Sequence, residues 1–479
     1  MLAELAAEIQ HIGDQITLFV TVWILLGTGI YLTIRTRAVQ IRYFGNMLKE
    51  IVLSRKTAKG EISSFQAFAV SLGGRVGLGN IFGVAAALIL GGPGAIFWMW
   101  IVALLGMSTS FFETILAQAY KVRNTHDKTF RGGPAWYIQY GLGSRFFGKV
   151  FAGVLIVTCI LVMTMLQSNG IAQTLGASTG ASTTSIAIVL FVLITPVIFG
   201  GIKSVAKVAE FMAPIMSLVY VLIAFVIIVL NYDSIIPNLV LIVKSAFVPT
   251  AALSGVGGGI FVALINGIKR GLFSNEAGQG TSPNVSAVAT VAHPVNQGLI
   301  QSFGVFVDTI VVCTATALII MSSGKGIYDP NVPMDPSLAG VLTQKAIESQ
   351  LGSWTSLLIS MIIFVLAFTS IIAAYTYSEI NMFFITSSKY ASYVIRVLSV
   401  ISTVMGAVVS LQFIWNTVDI FMAVITILNI LAVLALSKQG LGILKDYEEQ
   451  KKLGIEKPRF IGVGNKHLPA DLPTDIWVD

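Results

Sequence analysis

The sequence has little charge and few of the residues from which soluble catalytic and metal sites are built. Only 11% of its 479 residues are Asp, Glu, Lys or Arg, whereas soluble globular proteins carry about 25%. The two cysteines and four histidines are scattered along the chain, which indicates neither a disulfide framework nor a Cys/His metal site. With 55% hydrophobic residues, the composition is typical of a chain that crosses a membrane many times.

Eleven apolar segments are long enough to be predicted as transmembrane helices, so we expect an all-α polytopic membrane protein. A helix needs about 20 mostly apolar residues to cross the hydrocarbon core. These segments cover roughly residues 15–34, 64–90, 94–118, 150–175, 184–200, 208–231, 249–280, 298–322, 354–378, 391–411 and 413–437. Residues 1–437 are predicted to form one transmembrane domain. Residues 438–479 are charged and contain proline, and we expect them to form a cytoplasmic tail with no fold of its own.

The basic residues indicate the orientation of the chain. Only Lys244, Lys325 and Lys345 fall in loops on one side, and Arg75 with Lys269–Arg270 fall in spans, whereas the other Lys and Arg residues share the opposite side. The positive-inside rule therefore puts the N-terminus outside and the tail in the cytoplasm. Most of the basic residues behind the net charge of +7 are therefore predicted to lie at the cytoplasmic membrane surface. We expect no nucleic-acid partner. Segments 40–54 and 129–142 mix apolar and basic residues and predict interfacial helices or re-entrant pieces.

The stretch Ser71–Gly83 interrupts the second span. It places five glycines, Arg75 and Asn80 inside an otherwise apolar segment of about 27 residues. Each glycine costs a helix about 1 kcal/mol relative to alanine, and unwound backbone at membrane depth persists only where it faces protein or a water-filled cavity. A glycine seam for close helix packing is the alternative. The charge and the amide within the stretch favour a functional break.

A second interruption is predicted in the seventh span, 249–280. Gly255–Gly259 is followed by Asn266, Lys269, Arg270 and Glu276 in otherwise apolar sequence. Each charge costs about 2.5–3.5 kcal/mol at the centre of a membrane helix, so a plain lipid-facing helix is excluded. For the two cations alone, snorkelling at the cytoplasmic end of the span is the alternative.

The two broken spans occupy corresponding positions in two halves of the chain. If the helix over 15–34 is set aside, residues 64–231 and 249–437 each hold five spans, and the halves have opposite topology. Broken spans in corresponding positions of inverted repeats mark the binding site of secondary transporters. Half-helix N-termini favour a carboxylate, and freed carbonyls favour a hard cation. The pattern predicts a zwitterionic substrate that travels with a cation.

Two other spans contribute candidate ligands. Gln167 and Asn169 follow a long apolar run in the fourth span, where buried amides need partners; they serve either a ligand or interhelical packing. Thr369 and Ser370 lie in the middle of the ninth span and either bond back to their own helix or bind a cation. Isolated acids are functional hypotheses by default, and we expect at least half of these to pair with the cations in the spans: Glu113, Asp308, Glu379 and Asp419.

Several motifs resemble the signature of the alanine/glycine:cation symporter family. They include Gly91-Gly-Pro-Gly-Ala-Ile-Phe-Trp-Met-Trp100, Arg270-Gly-Leu-Phe-Ser-Asn-Glu-Ala-Gly278, Gly132-Gly-Pro134, His293-Pro294 and Asp308-Thr309. The resemblance implies a leucine-transporter-like five-plus-five inverted repeat with one extra N-terminal helix, within the amino acid–polyamine–cation superfamily. It also implies Na⁺-driven uptake of alanine or glycine across a prokaryotic plasma (inner) membrane, with D-alanine or serine as further substrates.

The resemblance also implies a site. The sodium ligands would be the backbone carbonyls of Val76 and Gly79 and the hydroxyls of Thr369 and Ser370. Leu78 stands where the family usually has Thr, and Thr369-Ser370 stands where Ser-Thr is usual, which leaves the substrate preference open. The substrate-binding candidates are Val76, Gly77, Gly79, Asn80, Gln167, Asn169, Asn266, Gly267 and Phe273.

Alternative functions are weighed on the same residues. H⁺ coupling through Glu113 or Asp308, and a larger neutral substrate such as glutamine, both stay open. A channel would need a continuous polar pore, and an enzyme would need a nucleophile–base pair; the sequence shows neither. It sets no oligomeric state.

Overall fold

The computed structural model describes residues 15, 21–54, 61–124, 129–248, 259–409, 411–473 and 475–478, and nearly all of its regular structure is helical. The first half of the chain contains α1 (Val22–Arg35), α2 (Val39–Arg42), α3 (Phe44–Leu53), α4 (Ser64–Arg75), α5 (Val84–Gly91), α6 (Gly94–Ala119), α7 (Pro134–Gly141), α8 (Arg145–Val157), α9 (Thr164–Thr179), α10 (Thr183–Phe199) and α11 (Gly201–Leu230).

The second half continues with helices of the same kind. They are α12 (Tyr232–Ser245), α13 (Gly259–Asn275), α14 (Ser282–Ser286), α15 (Pro294–Val305), α16 (Thr314–Met321), α17 (Ala339–Leu351), α18 (Thr355–Ile385), α19 (Lys389–Gly406), α20 (Leu411–Ala435) and α21 (Ser437–Lys452), with a 3₁₀ turn over Pro336–Leu338. Three π-helical segments continue the α-helices beside them: Gly79–Gly83, Thr158–Met163 and Phe306–Cys313.

The loop after α6 holds two strands of two residues each. β1 (Val122–Arg123) pairs antiparallel with β2 (Phe130–Arg131), so that Val122 lies opposite Arg131. The predicted interfacial segments are helical, since α2 and α3 cover most of 40–54 and α7 covers most of 129–142.

The spans form an all-helical bundle in which six helices of the described chain are long and apolar enough to cross a membrane. The bent pair Ser64–Arg75 and Gly79–Gly91, with 45° between its halves, makes a seventh. The helices α1 and α10 are apolar but shorter. The protein is therefore a multi-pass membrane protein, while the count of eleven spans and the inverted repeat stay predictions.

Helices of similar hydropathy differ in how much of their surface is buried inside the bundle. In α18, 72% of the most apolar stretch of 18 residues is buried inside the bundle. In α11, which is equally apolar, the corresponding fraction is 28%. A lipid-facing side chain and a core side chain are both apolar in a membrane protein, so hydropathy alone does not separate them. Burial identifies α18 as a central helix, against which α4, the first half of the broken pair, packs.

The C-terminal tail differs from its prediction. Residues 437–452 form α21, and the chain after it packs back on the bundle, with Phe460, Leu472 and Trp477 buried. The Phe460 N–H donates to the Ala292 carbonyl at 3.0 Å. The expectation of a tail without a fold of its own is therefore wrong, because a few apolar side chains in a charged segment are enough to anchor it.

Candidate functional site

The first broken span begins at a capped helix and ends where its hydrogen-bond ladder fails. The Ser63 hydroxyl accepts the Gln66 N–H while the Gln66 side chain accepts the Ser63 N–H, a capping box that fixes the start of α4. At the other end, the Val76 N–H still donates to the Leu72 carbonyl at 2.7 Å. The next N–H, that of Gly77, donates instead to Asn80 Oδ1 at 2.9 Å. The Gly73 carbonyl therefore loses its helical partner.

The freed Gly73 carbonyl oxygen belongs to a cluster of four oxygens, and the other three come from α18. Ser370 Oγ lies 2.8 Å from the Gly73 carbonyl oxygen and 3.1 Å from that of Leu366. Thr369 Oγ1 lies 2.8 Å from the Leu366 carbonyl oxygen and 3.4 Å from that of Gly73. Neutral hydroxyl and carbonyl oxygens are the ligands that a hard monovalent cation prefers. The cluster could hold Na⁺ between α4 and α18.

The oxygen cluster partly matches the predicted sodium ligands. Thr369 and Ser370 lie at the break as expected, but the carbonyls they meet belong to Gly73 and Leu366, which the sequence reasoning missed. A signal existed, since the carbonyl four residues before a non-helical N–H is always freed. Val76 and Gly79 stay predictions as ligands.

Gly77 and Gly79 lie close to side chains of three other helices at the break. A Cβ on Gly77 would collide with Ser370 Oγ and lie 3.1 Å from Gln167 Oε1. A Cβ on Gly79 would lie 3.0 Å from the Ser274 Cα and 3.1 Å from the Phe273 ring. The structure thus brings Gly77, Gly79, Gln167 and Phe273 together around the break, as the sequence predicted.

Gln167 also binds the unwound backbone directly. The Leu78 N–H donates to Gln167 Oε1 at 3.2 Å, so a backbone donor at the break is held by a side-chain oxygen. Leu78 itself packs against α9, where it fills the space beside Gly170. A carboxylate from a ligand would compete with Gln167 for the Leu78 N–H, because unpaired N–H groups at a helix break attract anions.

Asn80 links the break to a buried carboxylate. While its Oδ1 accepts the Gly77 N–H, its Nδ2 donates to Asp308 Oδ1 at 2.6 Å. Asp308 Oδ2 accepts the hydroxyls of Ser274 and Thr309, both at 2.7 Å. Asp308 lies in a π-helical segment, a distortion that is frequent at functional sites. This second oxygen cluster could carry a proton or balance a cation.

Three predicted substrate residues lie away from the break. Asn169 Nδ2 donates to the carbonyls of Gly406 and Val409 at 3.0 and 2.6 Å, which ties α9 to the end of α19. Asn266 Nδ2 donates to the Val262 carbonyl of its own helix, and Gly267 packs on the start of α6. The structure gives these three residues packing and hydrogen-bonding partners outside the cluster at Gly77.

Arg75 is buried at the end of α4 and makes only neutral contacts within the described residues. Its Nη1 donates to the Gln301 carbonyl at 3.0 Å, and its Nη2 donates to the hydroxyls of Ser110 and Ser282 at 3.1 and 2.7 Å. The nearby Glu276 forms no ion pair with Arg75 among the described residues, and its Oε2 accepts the hydroxyls of Thr281 and Tyr377. Arg75 therefore joins α4 to α6, α14 and α15.

The second interruption lies at the C-terminal end of the predicted span 249–280. The helix α13 continues without a break from Gly259 to Asn275, and the chain unwinds over residues 276–281, where Glu276, Gly278 and Gly280 have positive φ. Glu113 holds this turn, since its two carboxylate oxygens accept the N–H groups of Gly278 and Gly280 at 3.2 and 3.3 Å. The predicted Gly255–Gly259 run lies mostly outside the described residues.

Of the isolated acids, only Asp419 pairs with the cations named in advance. Its Oδ2 lies 3.3 Å from Lys269 Nζ and 3.2 Å from Arg270 Nη2. Glu379 pairs with Arg396 at 2.9 Å. The expectation that at least half of the acids would pair with the cations of the spans is wrong, because hydroxyls, side-chain amides and backbone N–H groups satisfy Asp308 and Glu113 instead.

Known proteins resemble the chain along most of its length. The model of the "Sodium:alanine symporter family" matches residues 3–461. The chain is 41% identical over 448 residues to the "Probable sodium/glutamine symporter GlnT" of Bacillus subtilis (strain 168), which covers 93% of this chain and 91% of that protein. It is 34% identical over 436 residues to the "Sodium/alanine symporter AgcS" of Methanococcus maripaludis, with coverages of 90% and 94%.

The bundle also resembles a solved transporter structure. The crystal structure of MhsT in complex with L-phenylalanine superposes with a TM-score of 0.55 at 14% sequence identity, over 80% of this chain and 89% of that chain. At this identity the likeness concerns the fold alone. The chain therefore has the fold of the leucine-transporter type that the motifs implied.

Proposed function

Because the chain belongs to the sodium:alanine symporter family, we propose that it takes up small neutral amino acids together with Na⁺, alanine and glycine first. The protein is a membrane transporter and not an enzyme, and Na⁺-coupled amino acid transport is common to the family and to its named relatives. The choice of a small substrate rests on the packing at the break.

Close packing around Gly77 is the observation that carries the substrate assignment. A Cβ on Gly77 would collide with Ser370 Oγ, and a Cβ on Gly79 would be crowded by the Phe273 ring at 3.1 Å. A substrate whose carboxylate binds the N–H groups of this segment therefore finds little space for a long side chain. This supports alanine or glycine over glutamine.

Binding of Na⁺ is coupled to binding of the substrate because the proposed Na⁺ ligands come from two helices. Ser370 belongs to α18, and Gly73 belongs to α4, so a Na⁺ bound by both stabilises conformations in which the two helices meet. The substrate binds the same break through Gly77, Leu78 and Gln167. Since both ligands favour one conformation, each raises the affinity for the other by the same factor, which is what symport by alternating access requires.

Uptake into proteoliposomes tests this function. With the purified protein, labelled alanine should accumulate under an inward Na⁺ gradient and should not respond to a pH gradient alone. Accumulation that follows a pH gradient and ignores Na⁺ would establish the H⁺-coupled alternative, in which Asp308 or Glu113 carries the proton. In competition, glycine should displace alanine and glutamine should not; equal displacement by glutamine would overturn the size argument.

We also propose the topology that the charges predict. The N-terminus lies outside a prokaryotic plasma membrane, and residues 15–34 form the extra helix before the repeats 64–231 and 249–437. The docked tail supports this assignment, because it meets Gln118 at the end of the third predicted span and Ala292 before the eighth, two positions that the prediction places on one side. In intact cells, an impermeant maleimide should label exposed Ser337→Cys and should reach Lys457→Cys only after permeabilisation.

A further inference from the structure

A cavity of about 360 Å³ lies between the end of α1, the turn that follows it and the tail helix α21. We call it the basic cavity, because five cationic side chains line it: Arg35, Arg37, Arg42, Lys445 and Lys452. None of its lining residues belongs to the broken span or to the proposed site, and the proposed transport function assigns the cavity no role.

Most of the positive charge in the basic cavity is not neutralised. Arg42 pairs with Glu448 at 2.7 Å, and Glu449 pairs with Lys466 and His467. Among the residues that the structure describes, no carboxylate forms an ion pair with the remaining four cations: Arg35, Arg37, Lys445 and Lys452. Glu448 and Glu449 also line the cavity, but both are engaged by Arg42, Lys466 and His467. The cavity therefore keeps a net positive charge, which attracts an anion.

The turn that forms one wall is held in a conformation that L-residues rarely adopt. Arg37 and Ala38 have φ of 54° and 55°, and neither is glycine, so the turn is strained. Arg42 braces it, since its Nε donates to the Arg37 carbonyl at 2.9 Å and its Nη2 donates to the Thr36 carbonyl at 2.7 Å. The brace fixes the backbone from which Arg37 extends.

Exposed aliphatic side chains sit beside the cations. Ile34 and Ile41 are 69% and 72% exposed, and each directly precedes a cation of the cavity in the chain. The helix α3 continues the apolar surface with Leu48, Val52 and Leu53, all exposed. Alternation of cations with exposed aliphatics at the end of a membrane helix is typical of the headgroup region.

We propose that the basic cavity binds the phosphate headgroup of an anionic phospholipid, whose acyl chains lie along the aliphatic surface of α1 and α3. Arg37 on the turn and Lys445 on α21 both line the cavity, and arginine offers the forked donors that phosphate oxygens accept. Basic pockets at the ends of membrane helices bind anionic headgroups in this way. A free phosphate has the same charge chemistry but no use for Ile34 and Ile41, so the lipid is favoured.

Lipid binding to the full-length protein in detergent tests the proposal. Native mass spectrometry would count bound phosphatidylglycerol, with phosphatidylcholine as the zwitterionic comparison. The double variant Arg37→Gln/Lys445→Gln should lower the affinity for phosphatidylglycerol about 30-fold, because each cation near an anionic surface contributes roughly a fivefold factor. Lys452→Gln alone should lower it about fivefold.

Two exposed cations outside the cavity provide the matched control. Arg145→Gln/Lys149→Gln removes the same charge from the start of α8, and its affinity should stay within about twofold of the unaltered protein. Equal loss in this control would overturn the proposal, as would unaltered binding in the cavity variant or equal retention of phosphatidylcholine. Displacement of the lipid by dissolved glycerol 3-phosphate at a similar concentration would identify a site for soluble anions instead.

Discussion

Ser370 Oγ lies 2.8 Å from the carbonyl oxygen of Gly73, across 297 residues of sequence. This contact joins the central helix α18 to the point where the first broken span loses its helical ladder. It places a side-chain oxygen and a backbone oxygen where one cation can bind both, and the first prediction follows from it.

Ser370→Ala should raise the Na⁺ concentration needed for half-maximal alanine uptake about tenfold. Loss of one oxygen ligand costs on the order of 1–1.5 kcal/mol, and 1.4 kcal/mol corresponds to a factor of ten. Na⁺ titrations of uptake in proteoliposomes measure this. Ser378→Ala is the control, since Ser378 Oγ donates to the Ala374 carbonyl of the same helix. Unaltered Na⁺ activation in Ser370→Ala would show that this hydroxyl is not a ligand.

Gly77→Ala should abolish uptake while the protein still folds. The added methyl group collides with Ser370 Oγ and displaces the groups proposed to bind Na⁺ and substrate. Gly83→Ala in the same broken span is the matched control, because its Cβ would meet only the Phe273 ring at 3.9 Å. Both variants are assayed for uptake and for elution on size exclusion. Comparable transport by the two variants would contradict the close packing at Gly77.

Gly304→Ala should lower the free energy of unfolding by about 1–3 kcal/mol, the usual cost of overpacking. A Cβ at Gly304 would lie 2.5 Å from Arg75 Nη1, so it must disturb the buried guanidinium and its three hydrogen bonds. At Gly153 the same change meets open space, and Gly153→Ala should leave stability equal or raise it by up to about 1 kcal/mol. Thermal unfolding in detergent compares the two.

Trp477→Ala should release the end of the tail. The Trp477 indole N–H donates to the Gln118 carbonyl at 3.1 Å, and its ring covers Lys121 Nζ at 4.9 Å; truncation of a buried tryptophan costs about 3–5 kcal/mol. Limited proteolysis should therefore cut the segment after α21 much faster. Trp354→Ala is the control, since Trp354 is exposed, and cleavage should not change. Equal protection of both variants would mean that Trp477 is not an anchor.

Docking of the tail should weaken as the pH falls below about 6.5, the ordinary pKa of histidine. His293 is buried against Asp446 at 3.1 Å, and burial lowers the pKa of His293 below its ordinary 6.5. The undocked imidazole therefore takes up a proton at a higher pH than the docked one. The stabilisation is complete above 6.5 and is lost as the pH falls toward the lowered value. Proteolysis of the tail between pH 5 and 8 measures this, and slower cleavage in acid would contradict it.

The sequence by itself determined the class of protein and the position of the first break. Apolar length, glycine content and the cost of buried charge are local properties, so Ser71–Gly83 could be identified without a structure. The same reasoning, with the family motifs, named Gln167, Phe273, Thr369 and Ser370, which the structure brings to the break. Gly73 was missed because the sequence does not show which N–H is the first to leave the helical ladder, so the carbonyl four residues before it could not be assigned in advance.

Only the tertiary structure decided which distant groups meet. Arg75 contacts residues 35 to 226 positions away, and no local pattern distinguishes these neutral partners from the acids expected. Hydrogen bonding confines the second break to 276–281, because Glu113 from another helix holds that turn. The C-terminal tail packs on the bundle through buried side chains, although its composition predicted a segment without a fold of its own. Composition and hydropathy determine which segments can cross the membrane and where a helix can break. The partners of buried polar groups depend on how the helices pack, which joins residues far apart in the sequence.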